Sequence, residues 1–81
     1  MKVSFATAKL YNLKMDIIKI GKNIKKARKE RRLTQAEVAQ KAGIHPNYYS
    51  RIERGELQPA LDTLEKIFKV LKVKSSEILP F

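Results

Sequence analysis

"TQAEVAQKAGIHPNYYSRIERG", residues 34–55, is the stretch that decides the fold. Its spacing is helical throughout, yet Gly43 interrupts it and Pro46 follows three residues later. Thr34, with Glu37 three positions on, forms a capping box, so a helix is expected over about 35–42 with Val38, Ala39 and Ala42 inward. Gly43 ends that helix, because glycine enters the left-handed region without steric cost. Ile44 is then expected to be buried. Pro46 suits the first position of a new helix, where its missing N–H costs nothing. That helix runs to about Arg54, with Tyr49 and Ile52 inside, and Gly55 stops it. Two short helices joined so tightly cannot lie in line. The second crosses the first at a large angle and is held clear of the body like a probe. A helix fits the major groove of duplex DNA, and a probe helix braced by another has the geometry to read it.

The pattern stays helical outward from this corner. Ile20, Ile24, Ala27 and Arg31 mark one face of a helix over about 20–32, and the rest of "KNIKKARKERR" is basic and solvated. Beyond the loop "ELQP", the spacing of Leu64, Ile67, Phe68 and Leu71 predicts an amphipathic helix over about 61–72. Asp62 falls in its first turn and Lys69 and Lys72 in its last, the charge order that the helix dipole favours. "SSEIL" predicts a short fifth helix. A doubtful alternation at Val3-Ser4-Phe5 is the one hint of a strand. Residues 1–16 read as an N-terminal extension and 17–81 as the domain. In the extension, Leu10 and Leu13 continue through Ile17, Ile20 and Ile24 in steps of three and four. That stripe either carries the first helix backwards as a partner-binding face or belongs to a loosely ordered arm; Gly21 within it opposes a helix by about 1 kcal/mol.

Bulk properties narrow the class. A chain of 81 residues with 43% hydrophobic and 32% charged residues is a single domain with a modest core. The absence of Cys excludes disulfides and thiolate zinc sites, and one His excludes a multi-histidine metal centre within one chain. No apolar run reaches the roughly 18–20 residues of a membrane span. Lys9 and Lys14 interrupt any secretory core segment, so a cytoplasmic address is expected. Lys and Arg number 18 against 8 Asp and Glu, a net charge of +10. Such an excess favours polyanionic partners through long-range attraction and counterion release. There is no Gly-rich phosphate cradle and no paired carboxylate or nucleophile constellation, so neither an enzyme, a cofactor, a metal nor a small-molecule substrate is expected.

Residues 20–79 resemble the Cro/cI phage-repressor type of helix-turn-helix domain, often called XRE. The residues that carry the likeness are Thr34-Gln35, Val38-Ala39, Gly43-Ile44, Tyr49, Ile52-Glu53, Gly55, Pro59, Thr63-Leu64, Ile67, Leu71 and Val73. The resemblance implies an all-α, five-helix phage-repressor-like fold and a regulator of transcription that binds double-stranded DNA as a homodimer on a palindromic site. Stand-alone domains of this kind include restriction-modification controllers, small phage repressors and antitoxins. The rival reading is an antitoxin or adaptor whose main partner is another protein.

Carried over residue by residue, the likeness implies that the recognition helix, about 46–54, turns His45, Pro46, Asn47 and Arg51 to base edges. Asn47 suits adenine and Arg51 suits guanine, each in bidentate fashion. For His45 a helix-capping role stands beside the base contact. Thr34, Gln35, Tyr48, Ser50 and Arg54 are expected at phosphates, Gln35 aided by the positive end of its helix. Arg28 and Glu53 occupy the positions of a structural ion pair. Lys72 stands where relatives often carry Gly, and Ala60 where Ser commonly caps. Phe68, Val70, Ile78, Leu79 and Phe81 are read as surplus apolar surface forming a dimer interface.

Overall fold

The computed structural model describes the backbone of residues 5–80 and the side chains of residues 14–80. It is all helical: α1 (Phe5–Glu30), α2 (Gln35–Ala42), α3 (Pro46–Glu53), α4 (Leu61–Leu71) and α5 (Ser75–Ile78). Among the described residues there is no strand. Phe5, expected in a doubtful strand, opens α1 instead, while Val3 and Ser4 lie outside the described residues. No described helix is long and apolar enough to cross a membrane.

The helix expected over about 20–32 is longer at its start and shorter at its end. It stops at Glu30 because Arg32 turns left-handed, with φ 55°, and Arg32 N–H donates back to the Lys29 carbonyl at 3.0 Å. The α2 start is a reciprocal box: Glu37 N–H donates to Thr34 Oγ1 at 3.0 Å, and Thr34 N–H donates to Glu37 Oε1 at 2.9 Å. Gly43 takes φ 71° and ψ 33°, and its N–H reaches the Ala39 and Gln40 carbonyls. Nothing lies within 4 Å of where its Cβ would be. Backbone conformation, not space, is therefore what requires glycine there. Pro46 opens α3 as its first residue, and the His45 imidazole Nδ1 accepts from Asn47 N–H at 3.1 Å.

The core gathers residues from every helix: Ile20, Ile24 and Ala27 from α1, Val38, Ala39 and Ala42 from α2, Tyr49 and Ile52 from α3, Leu64, Ile67, Phe68 and Leu71 from α4, and Ile78 from α5. Helix α1 packs on α3 and α5, while α2 packs on α3 and α4. Gly21, inside α1, is where α1 meets the end of α3; a side chain there would strike the Ile52 and Glu53 carbonyls. The residue that argued against a helix is the one that lets two helices touch.

Three expectations need correction. Phe68 and Ile78, read as dimer surface, are core residues at 6% and 2% exposure. Phe68 follows the same three-and-four spacing as Leu64, Ile67 and Leu71, so the face that turns those inward turns it inward too. Ile78 is held because α5 folds back on α1, where Asn23 Nδ2 donates to the Ile78 carbonyl at 2.8 Å. Ile44 is only half buried, packing against the core from outside. Val70 and Leu79 are also half buried against the core, and Phe81 lies outside the described residues. Among the described residues the exposed large apolar side chains are Leu61 and Met15.

Candidate nucleic-acid interface

The angle between α2 and α3 is held by a buried carboxylate. Glu53, at the end of α3, accepts from Arg28 of α1 through Nε at 2.7 Å and Nη2 at 3.1 Å. It also accepts from Gln35 Nε2 of α2 at 3.0 Å and from the Tyr49 hydroxyl at 2.5 Å. Arg28 spends a further N–H on the Leu33 carbonyl, at 2.9 Å, which anchors the α1–α2 connection. Three helices thus converge on one carboxyl group. Burial alone would push the Glu53 carboxyl up, but the bonds from Arg28, Tyr49 and Gln35 outweigh it and hold the group below the usual carboxylate range. The same carboxylate raises Arg28, and burial with the Glu53 bond raises the Tyr49 hydroxyl, so all three stay in the paired, hydrogen-bonded state at neutral pH. The family resemblance implies Arg28 and Glu53 as partners. Spacing does not bring in Gln35 and Tyr49, since nothing in it shows that a residue opening α2 meets one closing α3.

With its inner face locked, α3 presents its outer one. His45, Pro46, Asn47 and Arg51 are all exposed. Asn47 and Arg51 stand four apart, so they are neighbours on one face of the helix. Among the described residues Arg51 belongs to no ion pair. An exposed carboxamide and an exposed guanidinium side by side are the two side chains best matched to the bidentate edges of adenine and guanine. His45 is occupied at Nδ1 as the cap of α3, while its ring remains exposed beside Pro46.

The residues expected at phosphates are placed differently. Gln35 is half buried with one amide hydrogen given to Glu53. Thr34 Oγ1 is taken up as the α2 cap. Ser50 Oγ turns back along the helix to the Asn47 carbonyl at 3.2 Å. Tyr48 is half buried and packs against the core. Arg54 is exposed but paired with Glu56. Thr34, Gln35, Ser50 and Arg54 each have a polar partner inside the chain, whereas among the described residues the Asn47 and Arg51 side chains are exposed and belong to no ion pair or side-chain hydrogen bond of their own. Lys22 and Lys25 of α1, which the sequence shows only as part of a basic, solvated face, line one depression with Gln35, Glu53 and Arg54. Among the described residues, no group of three His, Cys, Asp or Glu side chains gathers to hold a metal ion.

A family model described as helix-turn-helix matches residues 24–78. The chain is 42% identical over 60 residues to the immunity repressor protein of Bacillus phage phi105, a match that covers 74% of this chain and 42% of the repressor. It is 41% identical over 61 residues to the HTH-type transcriptional regulator SinR of Bacillus subtilis, covering 74% of this chain and 55% of SinR. The chain therefore spans about half the length of these curated relatives. Among solved structures, the restriction-modification controller protein C.AhdI from Aeromonas hydrophila superposes with a TM-score of 0.77 at 25% identity, covering 80% of this chain and 98% of that one. All three are named as repressors, regulators or controllers, and none as an enzyme.

Proposed function

The chain belongs to the helix-turn-helix family, and from that premise we propose that it is a sequence-specific, double-stranded DNA-binding regulator of transcription that works as a homodimer in the cytoplasm. Helix α3 enters the major groove, and Asn47 and Arg51 read adenine and guanine edges from its outer face. The observation that carries this reading is the contrast across α3. Its inner side is fixed to α1 and α2 through Glu53, while Asn47 and Arg51 on its outer side are exposed. A rigid mount with an open polar face is what base readout demands, because a hydrogen-bond pattern can be read only from a fixed position.

In the homodimer, two copies of α3 lie about one helical turn apart, roughly 34 Å, on a palindromic site. The surface for the second copy is the apolar depression where Leu61 and Leu79 adjoin Pro59, Ile17 and Ile20. Leu61 is two-thirds exposed in the single chain, and a second copy would cover it.

Selection from random duplexes followed by sequencing tests the reading. An enriched palindrome with half-sites one turn apart is expected. Enrichment of no sequence at any salt concentration would overturn base readout. Sedimentation at one-chain mass, under conditions that saturate the selected duplex, would overturn the dimer.

A further inference from the structure

The residues first expected at phosphates are largely committed within the chain, yet a duplex reader must still be anchored to the backbone to fix its register. The charge for that anchor is on α1. Between Asp16 and Glu30 this helix carries no acid. Its Arg28 is neutralised by Glu53, but Lys22, Lys25, Lys26 and Lys29 are exposed and, among the described residues, take part in no ion pair. These four stand at steps of three, four and seven from Lys22, so they share one face of α1 over about 10 Å. That face is not remote from α3. Lys22 and Lys25 line the depression whose other walls are Gln35, opening α2, and Arg54, closing α3.

We propose that Lys22, Lys25 and Lys29 form a stripe that grips the phosphates of the duplex beside the bases read by α3. This rests on the reading of α3 as the base-contacting helix. A DNA strand presents a phosphate about every 3.4 Å of helix axis, so a stripe of this length meets roughly three on one strand. Lysine suits such a grip, because its ammonium on a flexible stem follows a backbone without demanding one geometry. The grip is blind to sequence. It sets affinity and salt dependence and leaves the choice of bases to Asn47 and Arg51.

The test is a salt titration of binding by fluorescence anisotropy, with the full chain on a selected duplex and on a random one. The triple variant Lys22→Gln, Lys25→Gln, Lys29→Gln should bind both duplexes more weakly by a similar factor. Its slope of log affinity against log salt should be shallower than the wild type's by about 2–3, since each phosphate contact contributes about 0.9. Replacing the same three residues with Arg should restore the wild-type slope. Removing an equal charge from Lys66, Lys69 and Lys74, all exposed and away from the depression, should leave the slope unchanged. An unchanged slope in the α1 variant would overturn the proposal, as would an equal drop in the distant one. Base readout is scored separately, by the ratio of selected to random binding. Loss of that ratio in wild type would sink the reading of α3 itself, whatever the slope does.

Discussion

Gly21 on α1 lies so close to Ile52 on α3 that a Cβ built on it would meet the Ile52 carbonyl oxygen at 2.5 Å. The Glu53 carbonyl oxygen would be 2.6 Å away. Both obstacles are backbone, so no side-chain rotation relieves them. Two effects then compete in Gly21→Ala. Helix propensity alone predicts a gain of about 0.5–1 kcal/mol. Forcing α1 off α3 predicts a loss of about 1–3 kcal/mol or more, as overpacking does. The clash dominates. Urea denaturation of Gly21→Ala should show lower stability than wild type, and a variant more stable than wild type would mean that the helices are not in contact there.

The Glu53 network sets a pH dependence. Its carboxyl is held below the usual glutamate range in the folded chain, so as pH falls the unfolded chain takes up the proton first. The stabilisation is therefore present in full above the ordinary range, about pH 4–5, and is lost as pH falls through the lower folded-state value. Glu53→Gln removes this titration and leaves Arg28 without its carboxylate. A loss of about 3–5 kcal/mol at neutral pH is expected, as for other buried pairs deprived of one partner. Thermal melts in the acid range should show a flatter pH profile for the variant than for wild type; parallel profiles would show that Glu53 titrates alike in the folded and unfolded chain.

The corner between α2 and α3 is legible in the sequence because its signals are local. Thr34 with Glu37, Gly43, and His45 with Pro46 act on backbone groups within four residues of themselves. What spacing does not show is which surfaces meet across the chain. Gly21 reads as a flaw until α3 supplies the carbonyls that it makes room for. Gln35 reads as a phosphate contact, and its spacing gives no sign that one of its amide hydrogens goes to a carboxylate at the end of α3. Phe68 and Ile78 read as surplus apolar surface, although the first shares the inward face of α4 and the second is brought inside by the return of α5. In each case local chemistry awaits a partner that only tertiary packing can name.

Arg51 and Asn47 should separate from Gln35 in binding experiments. Arg51→Ala and Asn47→Ala should each cost about 1–3 kcal/mol on the preferred duplex and little on random DNA. Both side chains are exposed, so the melting temperature should hardly move. Gln35→Ala should lower stability, because it removes a donor from a buried carboxylate, and weaken binding on every duplex alike. Equal losses on both duplexes for Arg51→Ala would remove it from base readout.

The two ends of α4 leave stability unclaimed. At its start, Ala60 occupies the cap position with extended backbone but makes no side-chain bond to the first turn. Ala60→Ser supplies the missing acceptor, a change worth about 0.5–2 kcal/mol at such positions. At its end, Lys72 sits left-handed at φ 56° and ψ 45°. An L-residue there carries a cost of about 1–2 kcal/mol, which glycine removes while giving back about 0.5–1 through the greater freedom of the unfolded chain. Lys72→Gly should therefore stabilise by up to about 1 kcal/mol. The substitutions cap opposite ends of an 11-residue helix and share no partner, so their effects should add. In a domain of this size each kcal/mol raises the melting temperature by about 4–8 °C. Neither position lies on α3, so the preference for the selected duplex should be retained in the double variant. A melting temperature at or below that of wild type would show that the ends of α4 are already satisfied in solution by another arrangement.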